Sequence, residues 1–198
     1  MEDGKVMIKI LYEDNHLLVV EKPVNVLVQA DSTKDLDLLT ILKDDLKKRY
    51  NKPGNVYLGL IHRLDRPVGG VMVFAKTSKA AARLSLQVQT HKLEKQYFAV
   101  VEGVPNPLEG TMVDYLKKNE KLNKVFVDSS GKKSVLDYKV IETVQGLSLV
   151  KIDLKTGRSH QIRVQFSSRK YPLYGDQKYN IHSTGKEQIA LYAYQLSF

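Results

Sequence analysis

The sequence contains no cysteine among its 198 residues. The chain therefore forms no disulfide, no thiolate metal site and no cysteine nucleophile, which excludes disulfide scaffolds and thiol-dependent enzymes. This absence is compatible with a reducing compartment, and we expect a cytoplasmic protein.

Long apolar runs are also absent. No segment approaches the roughly 20 apolar residues that a membrane-spanning helix needs, and the first ten residues do not resemble a signal peptide. No repeat, low-complexity tract or Pro/Gly/Ser linker divides the chain. Because 42% of the residues are hydrophobic, enough for one substantial core, we expect a single domain over residues 1–198.

Acidic residues are outnumbered by basic ones. The chain has 22 Asp and Glu against 31 Lys and Arg, a formal net charge of +9. This excess favours a polyanionic partner, because each neutralised phosphate releases counterions. The charge alone leaves RNA, DNA and an acidic membrane open.

Hydrophobic spacing predicts a first helix over residues 33–50. Leu36, Leu39, Leu42 and Leu46 recur at intervals of three or four residues, the spacing of one helical face. Three basic residues near its end suit the negative C-terminal end of a helix.

Two further helices are expected. One begins at Ser78, the predicted N-cap, and has Ala81, Leu84 and Val88 on its inward face. The other is a short helix over residues 159–166.

The remaining apolar segments are predicted to be strands, and turn-forming residues lie between neighbouring segments. The run at 70–75 is continuously apolar, as in a strand buried on both faces. We therefore predict an α/β protein of the α+β type, with a mixed, largely antiparallel sheet flanked by a few helices. The predicted strands cover residues 8–12, 17–20, 70–75, 96–102, 111–116, 123–127, 133–143, 147–154 and 189–198.

Residues 62–70, HRLDRPVGG, place one carboxylate between two arginines. Asp65 lies between Arg63 and Arg66 in a loop that Pro67 and two glycines stiffen and turn. Such a loop can present an acid at the mouth of a sheet, but an ordinary arginine–aspartate ion pair is the commoner meaning of this pattern.

A second polar segment, KTGRSHQIRV at residues 155–164, stands at a predicted turn-to-helix junction. A helix N-terminus beside Arg158 is a ready phosphate site. His160 and Arg163 should project together, because residues three apart share a helical face. The alternative is a solvated basic surface.

These segments occur with others in an order that resembles the RluA-type family of RNA pseudouridine synthases. The resemblance covers nearly the whole chain. The matching segments are residues 22–23, 62–76, 95–103, 155–164 with 174–176, and 191–193.

The resemblance implies the pseudouridine synthase fold and a uridine isomerase that acts on ribosomal RNA, transfer RNA or both. The N-glycosidic bond is cleaved, the uracil rotates, and a C5–C1′ bond rejoins it to the ribose. No metal, nucleotide or redox cofactor is required. The expected form is a monomeric catalytic domain without the accessory N-terminal RNA-binding domain of many relatives.

The resemblance also implies three catalytic residues. Asp65 matches the essential aspartate that acts as nucleophile or base, and a nearby arginine favours the ionised carboxylate that this role needs. Tyr97 matches the tyrosine that stacks on the flipped uracil and helps to handle a proton. Arg163 matches the arginine that pairs with the catalytic carboxylate.

Five residues are expected to contact RNA. By resemblance, Arg63 fills the space of the flipped base or binds a neighbouring phosphate. Lys22, Arg158 and Gln161 are further expected contacts. Lys76 is either a contact or a structural lysine at the end of a strand. A group of lysines around a predicted hairpin can equally be a solvated edge. Its members are Lys117, Lys118, Lys121, Lys124, Lys132 and Lys133.

The sequence departs from the family at several positions. Val68 and Gly69 stand where Thr and Ser are usual, and Gln29 and Tyr192 stand where histidine is common. These changes leave open an RNA-binding module that has lost catalysis.

A second alternative is a metal-dependent hydrolase built on His62, Asp65 and His160, which would need these side chains to converge on one ion.

Overall fold

The computed structural model of the chain describes residues 7–31, 33 and 35–198. The chain divides into two compact units. Unit 1 contains Met1–Leu93 together with Phe198, and unit 2 contains Glu94–Ser197.

Unit 1 is built from antiparallel strand pairs and two helices. Strand β2 (Leu17–Lys22) lies between β1 (Lys9–Glu13) and β4 (Gly69–Ala75), and the short strand β3 (Gly59–Leu60) pairs with the end of β4. The apolar run predicted as a doubly buried strand is β4, where Met72 through Ala75 have no exposed surface. The elements are β1 (Lys9–Glu13), β2 (Leu17–Lys22), α1 (Leu38–Arg49), β3 (Gly59–Leu60), β4 (Gly69–Ala75) and α2 (Ser78–Gln89).

Helix α1 begins later than the sequence predicted. Asp37 is the N-cap, and its Oδ1 accepts a hydrogen bond from the Thr40 backbone N–H at 3.1 Å. Because this carboxylate satisfies a helix N–H that has no partner in the preceding turn, the helix starts at Leu38. Leu36 is therefore not on the buried face and is 60% exposed. Lys34, inside the predicted range, lies outside the described residues.

Helix α2 is capped by Thr77, not by Ser78 as predicted. Thr77 Oγ1 accepts from the Ala80 backbone N–H at 3.1 Å. Its buried face carries Ala80 and Leu84, whereas the prediction named Ala81 in place of Ala80. Adjacent residues of a helix point about 100° apart around its axis, so Ala80 faces the core more directly than Ala81.

Unit 2 is a six-stranded antiparallel arrangement with one helix against it. Its strand order is β10 (Leu191–Ser197), β5 (Glu94–Glu102), β9 (Leu147–Leu154), β8 (Lys132–Val144), β6 (Glu109–Asn119) and β7 (Lys124–Val127). The strand predictions for this half agree with the structure to within a few residues at each end. The elements are β5 (Glu94–Glu102), β6 (Glu109–Asn119), β7 (Lys124–Val127), β8 (Lys132–Val144), β9 (Leu147–Leu154), α3 (Gln161–Ser168) and β10 (Leu191–Ser197).

Strand β5 has the predicted two faces. Tyr97, Ala99 and Val101 are all buried and lie on one face, as alternation along a strand requires. The register places Tyr97 beside Ile152 of β9, and Ile152 beside Tyr138 of β8. This row of buried side chains defines the inner face of the unit 2 sheet.

Helix α3 packs deeply although it has only eight residues. Its first six residues are all buried, which include Arg163 and two glutamines. His160 precedes it in a left-handed conformation, with φ of 51°. The polar residues of α3 therefore need internal partners. None of the helices in the described part of the chain is long and apolar enough to cross a membrane.

Candidate active site

The Asp65 loop in unit 1 is anchored by apolar residues on both sides of the acid. Leu64 and Val68 are 7% and 2% exposed, whereas Asp65 is only partly buried and Arg63 is exposed. The Val68 backbone N–H donates to the Asp65 carbonyl at 3.0 Å and closes the turn. His62 Nε2 accepts from the Val73 N–H at 3.2 Å, which ties the loop to β4.

Lys22, at the end of β2, supports this loop from inside. It is 1% exposed, and its Nζ donates to the carbonyls of Pro23 at 2.9 Å, Arg66 at 3.0 Å and Val68 at 2.7 Å. Two of these acceptors bracket the turn that follows Asp65. Lys22 therefore has an internal role in the fold, because its three N–H donors are already used, and its expected contact with RNA stays a prediction.

Burial is the largest influence on the Lys22 ammonium and lowers its pKa from 10.5 to about 8. The Asp65 carboxylate acts in the opposite direction and raises the pKa, while Arg66 lowers it further. Lys22 and Asp65 are thus electrostatically coupled, and at neutral pH the lysine remains mostly protonated.

Lys22→Met is expected to weaken catalysis and stability without changing the number of phosphate contacts. We expect a loss of at least about 2 kcal/mol in the free energy of unfolding, because buried carbonyls lose their donor. The salt dependence of RNA binding should keep its wild-type slope, whereas Arg63→Met should flatten it if Arg63 binds a phosphate. A flatter dependence of RNA affinity on salt in Lys22→Met would support a direct contact between Lys22 and RNA. Urea unfolding measures the stability, and binding titrations at several salt concentrations measure the slope.

The departure at Val68 leaves this support intact. Lys22 bonds to the backbone carbonyl of Val68, which any residue supplies, while the valine side chain is buried. Gly70 has φ of 131° and pairs with Lys22 in the sheet, a conformation that favours glycine.

Lys76 is structural, the second of the two roles that the sequence left open. Its Nζ donates to Glu13 Oε1 and to the Asp14 carbonyl, both at 2.6 Å, and lies 4.9 Å from the centre of the Tyr50 ring. The side chain is 10% exposed. The geometry supports the structural role, and the RNA contact of Lys76 stays a prediction.

In unit 2, Arg163 forms a buried two-point pair with Asp176. Nε donates to Oδ2 at 2.8 Å and Nη2 donates to Oδ1 at 2.7 Å, and the two side chains are 6% and 0% exposed. Burial raises the pKa of Asp176, but the bonds and charge of Arg163, with the backbone N–H groups of Lys178 and Tyr179, outweigh it and lower the pKa.

Tyr179 contacts both His160 and Arg163, the two residues that the sequence predicted to share a helical face. Its hydroxyl lies 2.6 Å from His160 Nδ1, and its ring centre lies 5.2 Å from the guanidinium carbon of Arg163. His160 and Arg163 therefore do project together. Tyr179 and Asp176 are site residues for which the sequence predicted no role. A helical arginine among buried residues was the signal that an acid partner had to exist elsewhere in the chain.

Gln161 supports the interior of unit 2. It is 2% exposed, and its Oε1 accepts from Thr156 Oγ1 at 2.8 Å and from the Arg158 N–H at 3.1 Å. Its Nε2 donates to the Val135 carbonyl and to Gln165 Oε1. Both polar atoms of this amide thus have partners inside unit 2, and the expected RNA contact of Gln161 stays a prediction.

Arg158 remains available at the surface. Its side chain is exposed, and its Nε donates to the Lys133 carbonyl at 3.2 Å, which leaves the outer guanidinium nitrogens toward solvent. Tyr97, by contrast, is 6% exposed on the inner face of the sheet.

Among residues 7–31, 33 and 35–198, no three His, Asp or Glu side chains are grouped in a way that could hold a metal ion. The set proposed for a metal hydrolase, His62, Asp65 and His160, is therefore not a metal site in the described part of the chain.

Comparison with known proteins places the chain in a family. Residues 16–168 match the family model described as RNA pseudouridylate synthase. The ribosomal large subunit pseudouridine synthase C of Buchnera aphidicola subsp. Baizongia pistaciae is 36% identical over 175 residues, which cover 87% of this chain and 54% of that protein. The corresponding synthase D of Zymomonas mobilis is 33% identical over 211 residues, covering 100% of this chain and 66% of that protein. The chain belongs to the RNA pseudouridylate synthase family, as the resemblance implied.

Solved structures agree on the fold. The human RNA pseudouridylate synthase domain containing 1 superposes with a TM-score of 0.79 at 25% identity, over 99% of this chain and 80% of that one. The human domain containing 4 gives 0.81 at 24% identity, over 95% and 83%. The predicted α+β fold with a largely antiparallel sheet is confirmed. The chain spans 54% to 66% of the two bacterial relatives described above.

Proposed function

We propose that this chain is an RNA pseudouridine synthase that isomerises uridine in the RNA of the large ribosomal subunit. The observation that carries the proposal is its similarity, over 87% to 100% of its length, to proteins named ribosomal large subunit pseudouridine synthases. The braced Asp65 loop supports it. We keep the proposal of one catalytic domain, since the matched residues 16–168 include parts of both units.

The proposed chemistry rests on Asp65. Partial burial and a turn closed by its own carbonyl give this carboxylate a defined position. As nucleophile or base it would promote cleavage of the N1–C1′ bond; the uracil then rotates, C5 bonds to C1′, and the C5 proton leaves as N1 gains one. The reaction is an isomerisation and consumes no co-reactant.

The substrate uridine must leave its base stack, at a cost of a few kcal/mol. In this proposal Tyr97 is the surface against which the extruded uracil stacks, and Arg163 is the partner of the catalytic carboxylate. Arg63 is exposed and makes no hydrogen bond or ion pair with any residue that the structure describes, so its guanidinium is available to fill the vacated position or to hold a phosphate.

Mapping of pseudouridines tests the proposal. RNA from a strain that lacks the gene is treated with carbodiimide and read by primer extension beside RNA from its parent. Loss of one or more stops in large-subunit ribosomal RNA is expected, with transfer RNA read in parallel. An unchanged pattern in all RNAs would contradict the enzyme proposal.

Complementation separates the enzyme from an RNA-binding module without catalysis. The wild-type gene should restore the missing stop, and the Asp65→Asn gene should not. Restoration by both would mean that the protein assists another enzyme and does not itself isomerise uridine. Turnover by purified protein in excess chelator would argue further against a metal-dependent hydrolase.

A further inference from the structure

Lys95 lies on the inner face of unit 2, in line with Tyr97. In β5 the two residues are separated by one position, so they share a face and stand about 7 Å apart along the strand. The register confirms this side. Lys95 pairs with Leu154 of β9, and Leu154 pairs with Leu136 of β8, which is fully buried.

The ammonium of Lys95 has no anionic partner among residues 7–31, 33 and 35–198. The residue is only partly exposed, and it makes no hydrogen bond or ion pair through its side chain with any residue in the described part of the chain. Burial lowers its pKa. A partly desolvated charge without a partner is unfavourable, and most buried charges in proteins are paired. The Lys95 ammonium is therefore available to bind an anion of a ligand.

Gly157 leaves the space that this ammonium occupies. A Cβ at this position would lie 3.1 Å from Lys95 Nζ, tighter than an ordinary contact. Gly157 does not have the positive φ that some other glycines of the chain adopt, so its backbone conformation does not itself demand glycine. The next residue, Arg158, is exposed and held by Gln161 and Lys133. The Lys95 ammonium thus lies beside Gly157, the residue that precedes Arg158.

We propose that Lys95 binds a phosphate of the RNA strand within about one nucleotide of the uridine that stacks on Tyr97, and that the missing side chain at Gly157 lets the ammonium keep the position from which it binds. The proposal rests on the proposed function, because it takes an RNA strand and the stacking role of Tyr97 as given. A phosphate is the anion that fits. It offers several acceptor oxygens to an ammonium, and it is repeated along the polyanion that the net charge of +9 favours.

The test compares Lys95→Met with the wild-type chain. Binding to an unmodified transcript of large-subunit ribosomal RNA is measured at several salt concentrations. We expect about tenfold weaker binding near 0.1 M salt, and a salt slope that is smaller by about one. Lys95→Arg should recover most of the affinity, because it keeps the charge. Thermal unfolding should show no loss of stability, since the variant removes an unpaired, partly buried charge.

Lys139→Met is the matched control. Lys139 follows Tyr138 in β8 and therefore lies on the opposite face of the same sheet, in an exposed ion pair with Glu109 at 3.1 Å. Its replacement removes the same charge and should change affinity less than twofold.

A double-mutant cycle tests the role of Gly157. Gly157→Ala should weaken binding in the wild-type background and have little further effect in the Lys95→Met background, because the ammonium that it displaces is already absent. An equal loss in both backgrounds would instead mean that RNA itself approaches Gly157, and the steric part of the proposal would be wrong.

The outcomes separate the two proposals. If the wild-type chain makes pseudouridine but Lys95→Met keeps its affinity and salt slope, the phosphate contact is wrong and the proposed function stands. If both Lys95→Met and Lys139→Met weaken binding equally, the effect is one of general charge and the contact is again wrong. A wild-type chain that neither binds nor modifies the RNA overturns both.

Discussion

Asp65→Asn is expected to reduce pseudouridine formation at least about a thousandfold, because it removes the charged oxygen that acts as nucleophile or base and changes almost no volume. The neighbouring contacts of the loop use backbone groups: the Asp65 carbonyl accepts from Val68, and Lys22 binds the carbonyls of Arg66 and Val68. These contacts do not require the carboxylate. The fold and RNA affinity should therefore stay close to wild type, as measured by thermal unfolding and binding titration.

The matched control is Asp35→Asn. Asp35 is a half-exposed acid that pairs with Arg66 at 2.8 Å, so this variant removes the same charge beside the same loop. Its turnover should remain within a fewfold of wild type, because exposed ion pairs contribute little. Turnover by Asp65→Asn near that of Asp35→Asn would overturn the catalytic assignment.

The pH of this assay matters because of Lys22. The Asp65 carboxylate raises the pKa of Lys22 toward its value of about 8, so the Asn variant is expected to have a lower Lys22 pKa. As the pH rises through that value, the amine becomes neutral and keeps two N–H donors for three carbonyls. Assays near pH 6, well below the wild-type value, favour the protonated form of Lys22 and so isolate the chemical role of Asp65 better than assays at higher pH.

Arg163→Met is expected to destabilise the chain by about 3 to 5 kcal/mol, because it leaves the buried Asp176 carboxylate without its partner. Asp176 is 1% exposed and accepts two hydrogen bonds from Arg163. Arg163→Lys should fall between wild type and Met, since an ammonium keeps the charge but not the two-point geometry. Urea unfolding near pH 7 measures the three free energies of unfolding.

The stability lost in Arg163→Met should depend on pH, in a direction that the pKa of Asp176 sets. In the wild-type chain the pKa of Asp176 is lowered, so the stability that the ionised form contributes is present above the unfolded pKa and is lost as the pH falls through the folded one. In Arg163→Met burial should raise that pKa instead. The difference between the two proteins should therefore shrink as the pH falls from 7 toward 5. A difference independent of pH would show that lost packing, and not the unpaired charge, causes the effect.

A paired replacement provides the second control. Arg163→Met combined with Asp176→Asn removes both charges, and it should recover part of the stability lost in Arg163→Met alone. A double variant that is less stable than the single variant would mean that Asp176 is held by its bonds to Lys178 and Tyr179 more than by Arg163.

The strands were the most predictable part of this protein. Alternation along a strand is a local property of the backbone, so the buried face of Tyr97, Ala99 and Val101 could be read from spacing alone. Helix starts were less predictable. Thr77 stands next to Ser78, and Asp37 follows Thr33 and Asp35 within a few residues, so the cap depends on which side chain reaches a free N–H.

The site residues divide in the same way. The order of motifs was sufficient to identify the family and to nominate Asp65, Tyr97 and Arg163, whose catalytic roles remain predictions. The expected RNA contacts were the least predictable part of the site. A lysine or glutamine in the sequence, such as Lys22 or Gln161, looks the same whether its side chain faces RNA or the interior of the fold.

By itself, the sequence determined the class of fold, the family and the position of the candidate catalytic acid, because periodicity and short motifs are local along the chain. Only the tertiary structure decided what each cation does. Lys22 meets carbonyls 44 and 46 residues away and becomes the support of the Asp65 loop. Arg163 meets Asp176, 13 residues away, whereas Lys95 meets no acid in the described chain. The physical reason is that a buried charge must find a partner in space, and such partners lie at sequence distances that no local pattern records.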